Sequence, residues 1–512
     1  MPLQTVNKRF VVALFVFREG NEVAIRINGV NEPVIISNSF MGRKDIIVDA
    51  EKIDESNVLE VLYKAYGKHL NYNRNAITFL TDYEKGKQPI LNRVKPVRPE
   101  INYKITENHA SEVVDFYKGY IFGNPIAYTQ HSLEEKPTKT VENSTVGISL
   151  LSKMFLEECK NAKDQELVKD ILTCGVGYRM LLPKTNKSRW EISPFRLVQL
   201  DPANTFLIRG KGIDRKPLAG VTYYLDNDTI PHFTLYTDTD VYYIDGEAPF
   251  NPKVTKKADN GIGVQPIVEY KLNSDKMGIF EKALPVLDAI NLCTSDRLNG
   301  LAQYIQSFVW LNNVDIDKAD LESLICNMFL LTKSGDGSAP ASVQYLASNL
   351  NQQSEQVLKD DLYETLLRIT GVPNREGNTG GDTGQAVILR NGFAVAESKA
   401  KSMEPIFEAC ERELLTVAFN IIDRDNAQGL EEIKKLNLSD IDIKISRNRT
   451  DEILTKLQAL NLGLNSGVAP YDMFSTIGLF DDPDKVYTNS LPYLAKWKYD
   501  DEVNVNDPEV AV

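Results

Sequence analysis

Apolar positions recur along this chain at two different periods, and the switches between them mark out its segments. Over Arg9–Ile36 apolar and β-branched residues alternate, with turns at Glu19-Gly20-Asn21 and Asn28-Gly29, which predicts an antiparallel sheet fragment. From Glu55 to about Tyr83 the spacing is helical, with Val58, Leu62, Ala65, Tyr66, Ile77 and Leu80 in phase. Tyr83–Ile90 punctuates that run, and the bases and prolines at Arg93, Lys95, Pro96, Arg98 and Pro99 read as a loop. A further helix carries Val113, Phe116, Tyr117, Tyr120 and Ile121 on one face and stops at Gly123-Asn-Pro125. One helix is expected around Ser149–Thr173. It leads through Cys174-Gly-Val-Gly-Tyr178 into a mostly β region reaching about Leu272, marked by Tyr, Val and Thr with prolines at segment edges.

The second half returns to helical spacing. Leu287, Ile290, Thr294, Leu298, Leu301 and Ile305 form a stripe over about Phe280–Ile305, a helix roughly 38 Å long. A small mixed unit, Phe308–Ala347, follows. Then Gln353–Thr370 carries Leu358, Leu362, Leu366 and Ile369 on one face and closes on Gly371-Val-Pro373. Next comes a glycine-rich polar loop of Asn374, Arg375, Glu376, Gly377, Asn378, Thr379, Gly380, Gly381, Asp382, Thr383 and Gly384, with few apolar anchors and hence free to move on its own. A long helix over 385–422 is predicted after it, capped by Asp382 with Gln385 three residues on, and bent at Pro405, whose ring clashes and whose N–H is missing. Ile441, Ile443 and Ile445 predict one short strand, Thr450-Asp-Glu starts a helix through Leu460, and the residues from Asp500 form an acidic tail.

Composition narrows the function. The chain has 512 residues, ample for several domains, and a formal net charge of −13. A dedicated duplex binder needs a basic footprint, so tight sequence-independent DNA binding over most of this surface is excluded, whereas enclosing DNA is not. The five cysteines, at 159, 174, 293, 326 and 410, have neither metal nor disulfide-framework spacing and read as thiols in a reducing compartment. The apolar run Phe10–Phe17 is too short to span a bilayer and lacks a cleavage pattern, so a strand and a cytosolic site of synthesis are expected, with no membrane partner.

The search for chemistry returns little. No G-x-x-x-x-G-K-[ST] occurs, and the glycines at 377–384 lack the lysine and the preceding strand of a phosphate cradle. Asp315-x-Asp317 fails the calcium-loop pattern, with Ala319 and Asp320 where a ligand and a glycine belong. The pairs Asp226/Asp228 and Asp238/Asp240 and the cluster Asp481/Asp482/Asp484 have the residue types for two-metal hydrolysis but flank turn-like segments, where solvated acids are the plainer reading. The histidines at 69, 109, 131 and 232 make no HxH or HExxH unit, and His109, at a helix start, suits a cap or surface role. No enzyme activity, metal or cofactor is expected.

The order of segments resembles the portal proteins of long-tailed, double-stranded-DNA bacteriophages. The resemblance rests on Tyr83–Ile90, Asn108–Ile126, Gly175–Tyr178, Leu200-Asp-Pro202, Pro266–Asn273, Leu287–Asn291 with Ser295-Asp296, Arg447–Thr450 with Asn465–Val468, and Phe480–Pro483. It covers about residues 55–490 and implies an α+β portal-type fold: an α/β wing, a two-helix stem, a small α/β clip, a kinked tunnel helix and a mainly helical C-terminal crown. Carried over, 49–279 looks like the wing, 280–307 and 351–373 like the stem helices, and 308–350 like the clip, with acids Asp315, Asp317, Asp320 and Glu322. Likewise 374–384 looks like the tunnel loop, 385–422 like the tunnel helix, 423–495 like the crown and 496–512 like an acidic tail. The resemblance further implies a virion portal vertex and a homo-oligomeric ring of about twelve subunits around double-stranded DNA. Its implied partners are the terminase large subunit, a head-completion or adaptor protein, and the major capsid and scaffolding proteins. Lys399 and Lys401 are the bases expected to line the channel, with a solvated helix face as the other reading. Pro285 departs from an uninterrupted first stem helix, which should begin or kink there, and the β-rich residues 1–48 lie outside the resemblance. Two rival classes stand beside it: a capsid or tail protein that never encloses DNA, and a metal-dependent nuclease.

Overall fold

The computed structural model describes residues 11–18, 21–28, 42–96, 99–130, 145–186, 188, 190–226, 230–246, 252–305, 308–312, 314–315, 333–334, 342–346, 352–374, 393–425, 429–447, 450–477, 486–487 and 489–491. The alternating N-terminal run forms a hairpin, β1 (Val11–Arg18) against β2 (Asn21–Asn28), antiparallel with Arg18 opposite Asn21. A six-stranded sheet follows in the order β11-β10-β9-β8-β7-β3: β3 (Ile46–Val48), β7 (Thr205–Gly210), β8 (Pro217–Asp226), β9 (Ile230–Tyr236), β10 (Asp240–Asp245) and β11 (Lys253–Asp259). All its pairings are antiparallel except β3 with β7. Val58, Val61, Leu62 and Ala65, in phase on helix α1 (Val58–His69), cover one face of it and complete a core with Phe206, Val221, Phe233 and Tyr242.

A second body is built on a three-stranded sheet, β12-β5-β6, of β5 (Val176–Pro183), β6 (Phe195–Leu200) and β12 (Ile267–Lys271). Around it pack α2 (Asn75–Glu84), α3 (His109–Phe122), α4 (Thr145–Glu157), α5 (Lys160–Cys174), α6 (Leu284–Ile305), α7 (Gln352–Thr370) and α8 (Phe393–Arg424). Behind α8 come α9 (Glu431–Lys434), α10 (Thr450–Asn465), α11 (Pro470–Thr476), and β17 (Ile441–Lys444), which pairs with β4 (Ala127–Gln130). The unit between α6 and α7 supplies β13 (Phe308–Asn312) against β16 (Ser342–Leu346) and β14 (Val314–Asp315) against β15 (Lys333–Ser334). Among the described residues no helix is long and apolar enough to cross a membrane.

Three helical expectations need correction. The run over 55–83 contains a π-helical turn, Leu70–Arg74, between α1 and α2. There the Asn73 side chain bonds both backbone groups of Lys44 at 2.9 Å and buried His69 donates to the Ala203 carbonyl at 3.0 Å, so tertiary contacts hold the widened turn. The single helix expected around 149–173 is two, broken at Cys159, whose φ is +52°. Glu157 and Glu158 turn toward the backbone N–H groups of Ile192, Ser193 and Leu197, whereas Lys160 turns into the core. One uninterrupted helix does not allow both. The helix expected over 280–305 begins at Leu284 after a 3-10 turn. Pro285 thus lies in its first turn, where a missing N–H costs little, and the helix begins there as the proline predicts.

Five segments meet at one buried charge cluster. Glu411 of α8 accepts from the hydroxyls of Tyr128 on β4 (2.5 Å) and Tyr270 on β12 (2.7 Å), and pairs with Lys160 of α5 at 2.9 Å. Lys160 also pairs with Asp164 at 2.9 Å, and Asp164 with Arg179 of β5 at 2.7 Å. Two cations and two anions therefore balance where none of the four side chains is more than 6% exposed. Burial alone would raise the Glu411 pKa, but Lys160, Arg179 and the two phenols outweigh it and hold that carboxyl at about 2.

A polar ladder runs along α6. Asn291 Oδ1 accepts from Glu107 N (2.8 Å), Ser295 Oγ from Ile105 N (2.9 Å) and Asn299 Oδ1 from Tyr103 N (2.7 Å). Four helical residues advance about 6 Å and two extended residues about 6.6 Å, so every fourth residue of α6 meets every second residue of this stretch. Asp288 begins the same stripe and accepts from the buried Tyr83 hydroxyl at 2.8 Å. Desolvation pushes the Asp288 carboxyl up to about 7.

Replacing Glu411 by Leu strands the two cations with one carboxylate and leaves two phenols without their acceptor. We expect the unfolding free energy in urea to fall by about 3–5 kcal/mol. The two carboxyls act oppositely with pH. Glu411, lowered from 4.5 to about 2, contributes stability present above pH 4.5 and lost as pH falls toward 2. Asp288, raised from 3.8 to about 7, contributes stability present below pH 3.8 and lost as pH rises through 7. Asp288→Asn should therefore flatten the decline of the melting temperature between about pH 4 and pH 7, with the two proteins converging at the acid end.

Candidate functional site

The paired helices α6 and α7 and the long helix α8 are the parts that the sequence marks for function. α6 and α7 pack against each other, and Leu284, Leu287 and Ile290 of the one and Leu366 and Leu367 of the other all belong to the main core. Farther out the contact turns polar, with Arg297 Nη1 donating to Gln356 Oε1 at 2.5 Å. Lys359 of α7 pairs with Glu107 at 2.7 Å, and the Tyr363 hydroxyl donates to Glu112 at 3.2 Å. Between these stands His109, its ring nitrogens 2.9 Å from Glu112 and 3.1 Å from Glu107 and its ring against Tyr363. Burial alone would lower the His109 pKa, but the two carboxylates outweigh it and raise it. His109 opens α3 as expected, and its role there is to tie α3 to α7.

The apolar stripes expected on these two helices are only partly buried in the single subunit. Leu287 and Ile290 are buried on α6, but Leu301 is 41% exposed, and the buried side of the outer half is polar: Asn291, Ser295 and Asn299. On α7 Leu366 is buried and Leu362 half-buried, while Leu358 is 53% exposed and Ile369 39%, with Val357 beside them at 56%. The 3–4 period located the helices correctly but did not tell which face the subunit itself covers. The signal for the buried side was present in Asp288, Asn291, Ser295 and Asn299, polar residues spaced by three, four and four.

α8 is a 32-residue helix with Pro405 inside it. Past the proline it is apolar and buried through Phe407, Leu414, Ala418 and Ile421, lying over β12 and β5 with Glu411 beneath it. Ahead of the proline only Ala396 and Ala400 are buried. The two lysines expected on this helix face different ways. Lys399 turns inward, donates to the Ile369 carbonyl at 2.7 Å and so caps the last turn of α7; burial and nearby Lys282 lower its pKa. Lys401 stays exposed, 3.6 Å from Glu397.

The other candidates are placed as follows. Asn374 is described and half-buried, whereas Arg375, Glu376, Gly377, Asn378, Thr379, Gly380, Gly381, Asp382, Thr383 and Gly384, with the proposed Asp382 cap, lie outside the described residues. Asp315 closes strand β14; Asp317, Asp320 and Glu322 lie outside the described residues. Asp226 ends β8, Asp238 accepts from Gln265 N at 3.0 Å and Asp240 pairs with Lys257 at 3.1 Å, while Asp228, Asp481, Asp482 and Asp484 lie outside the described residues. Among the described residues no three His, Cys, Asp or Glu side chains gather as metal ligands. Cys159, Cys174, Cys293 and Cys410 are free thiols.

Comparison with known proteins gives three results. No curated protein matches the chain. Among solved structures, a chain from the "Neck of empty GTA particle computed with C6 symmetry" aligns over 79% of this chain and 93% of that one, at 11% identity and a TM-score of 0.44. The family described as "Phage portal protein, SPP1 Gp6-like" matches residues 63–473, from within α1 to within α11. That match spans well over half of the sequence, and the chain belongs to the SPP1 Gp6-like family of phage portal proteins.

Proposed function

We propose that this chain is the repeating subunit of a portal ring at one capsid vertex, about twelve copies closed head to tail around an axial channel for double-stranded DNA. In this reading the channel passes the genome inward during packaging and outward during ejection, and the protein is a structural element of the virion with no enzyme activity of its own. The family match over residues 63–473 carries the reading. The exposed apolar residues of the helix pair, Leu301, Val357, Leu358 and Ile369, support it, because a ring supplies a neighbouring copy to cover them.

The parts distribute accordingly. Residues 49–279 form the wing, 280–307 and 351–373 the stem, and 308–350 the clip, which meets the terminase large subunit and later a head-completion or adaptor protein. Residues 374–384 form the tunnel loop and 385–422 the tunnel helix, with Lys401 on its exposed side, while 423–495 form the crown. Major capsid and scaffolding proteins surround the ring. A net charge of −13 suits a conduit: each phosphate neutralised by the wall adds salt-sensitive affinity, and a sliding duplex must not be held.

Negative-stain imaging of the purified protein tests the reading directly, with a closed ring and axial hole expected; a chain that forms no closed oligomer under any assembly condition overturns it. Leu358→Glu should lower the ring fraction on a sizing column at least tenfold with an unchanged circular-dichroism spectrum. Deleting Gly377–Gly381 should leave rings intact while DNA packaging or retention is impaired. Recovery of that deletion variant as a monomer would contradict the tunnel-loop assignment.

A further inference from the structure

The two arms of α8 on either side of Pro405 are held by different forces. Behind the proline, Phe407, Leu414, Ala418 and Ile421 are buried and Glu411 is locked into the charge cluster. Ahead of it, the buried residues are two alanines, with half-buried Phe393 near the rings of Phe116 and Tyr120 and half-buried Met403 against the core, so the apolar hold is slighter and polar contacts add to it. Tyr120 of α3 donates to Glu397 Oε2 at 2.8 Å, and Lys399 reaches the end of α7. Arg447 does the rest. Its Nη1 lies 3.0 Å from Glu397 Oε1, and its Nη2 bonds Glu404 Oε1. Glu397 and Glu404 stand two turns apart on one face, and all three side chains are 16–20% exposed. Arg447 sits three residues past β17, which is anchored by its ladder to β4, so the guanidinium projects from a fixed edge of the body.

The junction between the arms is built to bend. Pro405 offers no N–H to the carbonyl of Lys401, so the helix lacks one of its own bonds there. Met403 and Phe407, one on each side of the proline in sequence, line a small apolar cavity of about 10 Å³ with Phe122, Val168, Ile171 and Leu272, among others. Its volume is at the lower limit for one water and its lining is apolar, so it gives the Met403 side chain room to shift.

We propose that Arg447 is a positioning residue, a clasp that fixes the arm of α8 ahead of Pro405 against the body of the subunit. Without its charge Glu404 loses this cation while Glu397 keeps Lys401 at 3.6 Å and the Tyr120 hydroxyl, and the arm swings at Pro405 while the rest of α8 stays in place. On the portal reading of the previous subsection, this couples the crown side of the subunit to the tunnel loop that precedes the arm.

Hydrogen–deuterium exchange on the full-length protein tests it. In Arg447→Met, amides of residues 393–404 should exchange at least tenfold faster than in the parent, with 407–422 unchanged, and Arg447→Lys should restore part of the protection. In a Glu397→Gln, Glu404→Gln background, Arg447→Met should add less than twofold. An unchanged profile, or a uniform rise across α8, overturns the clasp. If Arg447→Met does not fold, Glu404→Gln alone reads the same segment, and no rise over 393–404 there overturns the proposal equally. Imaging of the parent separates the two ideas: absent rings defeat the portal reading and leave the exchange result standing, while rings with a flat exchange profile defeat the clasp alone.

Discussion

Four charges that cannot reach water fix the geometry of the larger body. Lys160, Asp164, Arg179 and Glu411 come from α5, β5 and α8, and the phenols of Tyr128 and Tyr270 tie in β4 and β12. Transferring any one of them alone to a low-dielectric interior costs several kcal/mol, so each requires its partners at hydrogen-bonding distance. Apolar residues of similar volume could fill the same space with equal stability, but they would tolerate a slide of α8 along the sheet. Directional bonds to one carboxylate from three other segments do not. The cluster therefore sets register more than it adds free energy.

From that fixed point the rest of the long helix takes its character. The arm beyond Pro405 is committed to the core, while the arm before it is held by Tyr120, Arg447 and Lys399 through groups that remain partly in water. Partly hydrated ion pairs hold weakly compared with a packed apolar face. The result is one helix with a rigid end and a releasable end, divided by a residue that cannot complete the helical hydrogen-bond pattern.

The paired helices follow a related logic. α6 spends its buried outer face on Asn291, Ser295 and Asn299, which grip the 103–107 stretch through backbone groups that would otherwise need water. Leu301, Val357 and Leu358 are left on the outside. A helix pair stiffened by polar rungs on one side and apolar on the other is suited to pack against further copies of itself.

Local pattern determined much of this protein. Period and punctuation located the N-terminal hairpin, the stop of α3 before Gly123, the end of α7 before Gly371 at φ +73°, and the proline inside α8, because each depends on residues within a few positions of one another. The order of short motifs along the chain was enough to indicate the family. Tertiary structure alone decided where charge is buried, since Glu411 meets residues 141 and 283 positions away and no spacing announces such a pairing. It also split the 149–173 run at Cys159, where two glutamates and a lysine must face opposite ways, and widened the turn at 70–74 around Asn73. It set Lys399 against the Ile369 carbonyl at the end of α7, a contact that no spacing along α8 announces because that carbonyl belongs to another helix. Sequence period states that a helix has an apolar side; which side its own subunit covers depends on what the rest of the chain brings beside it.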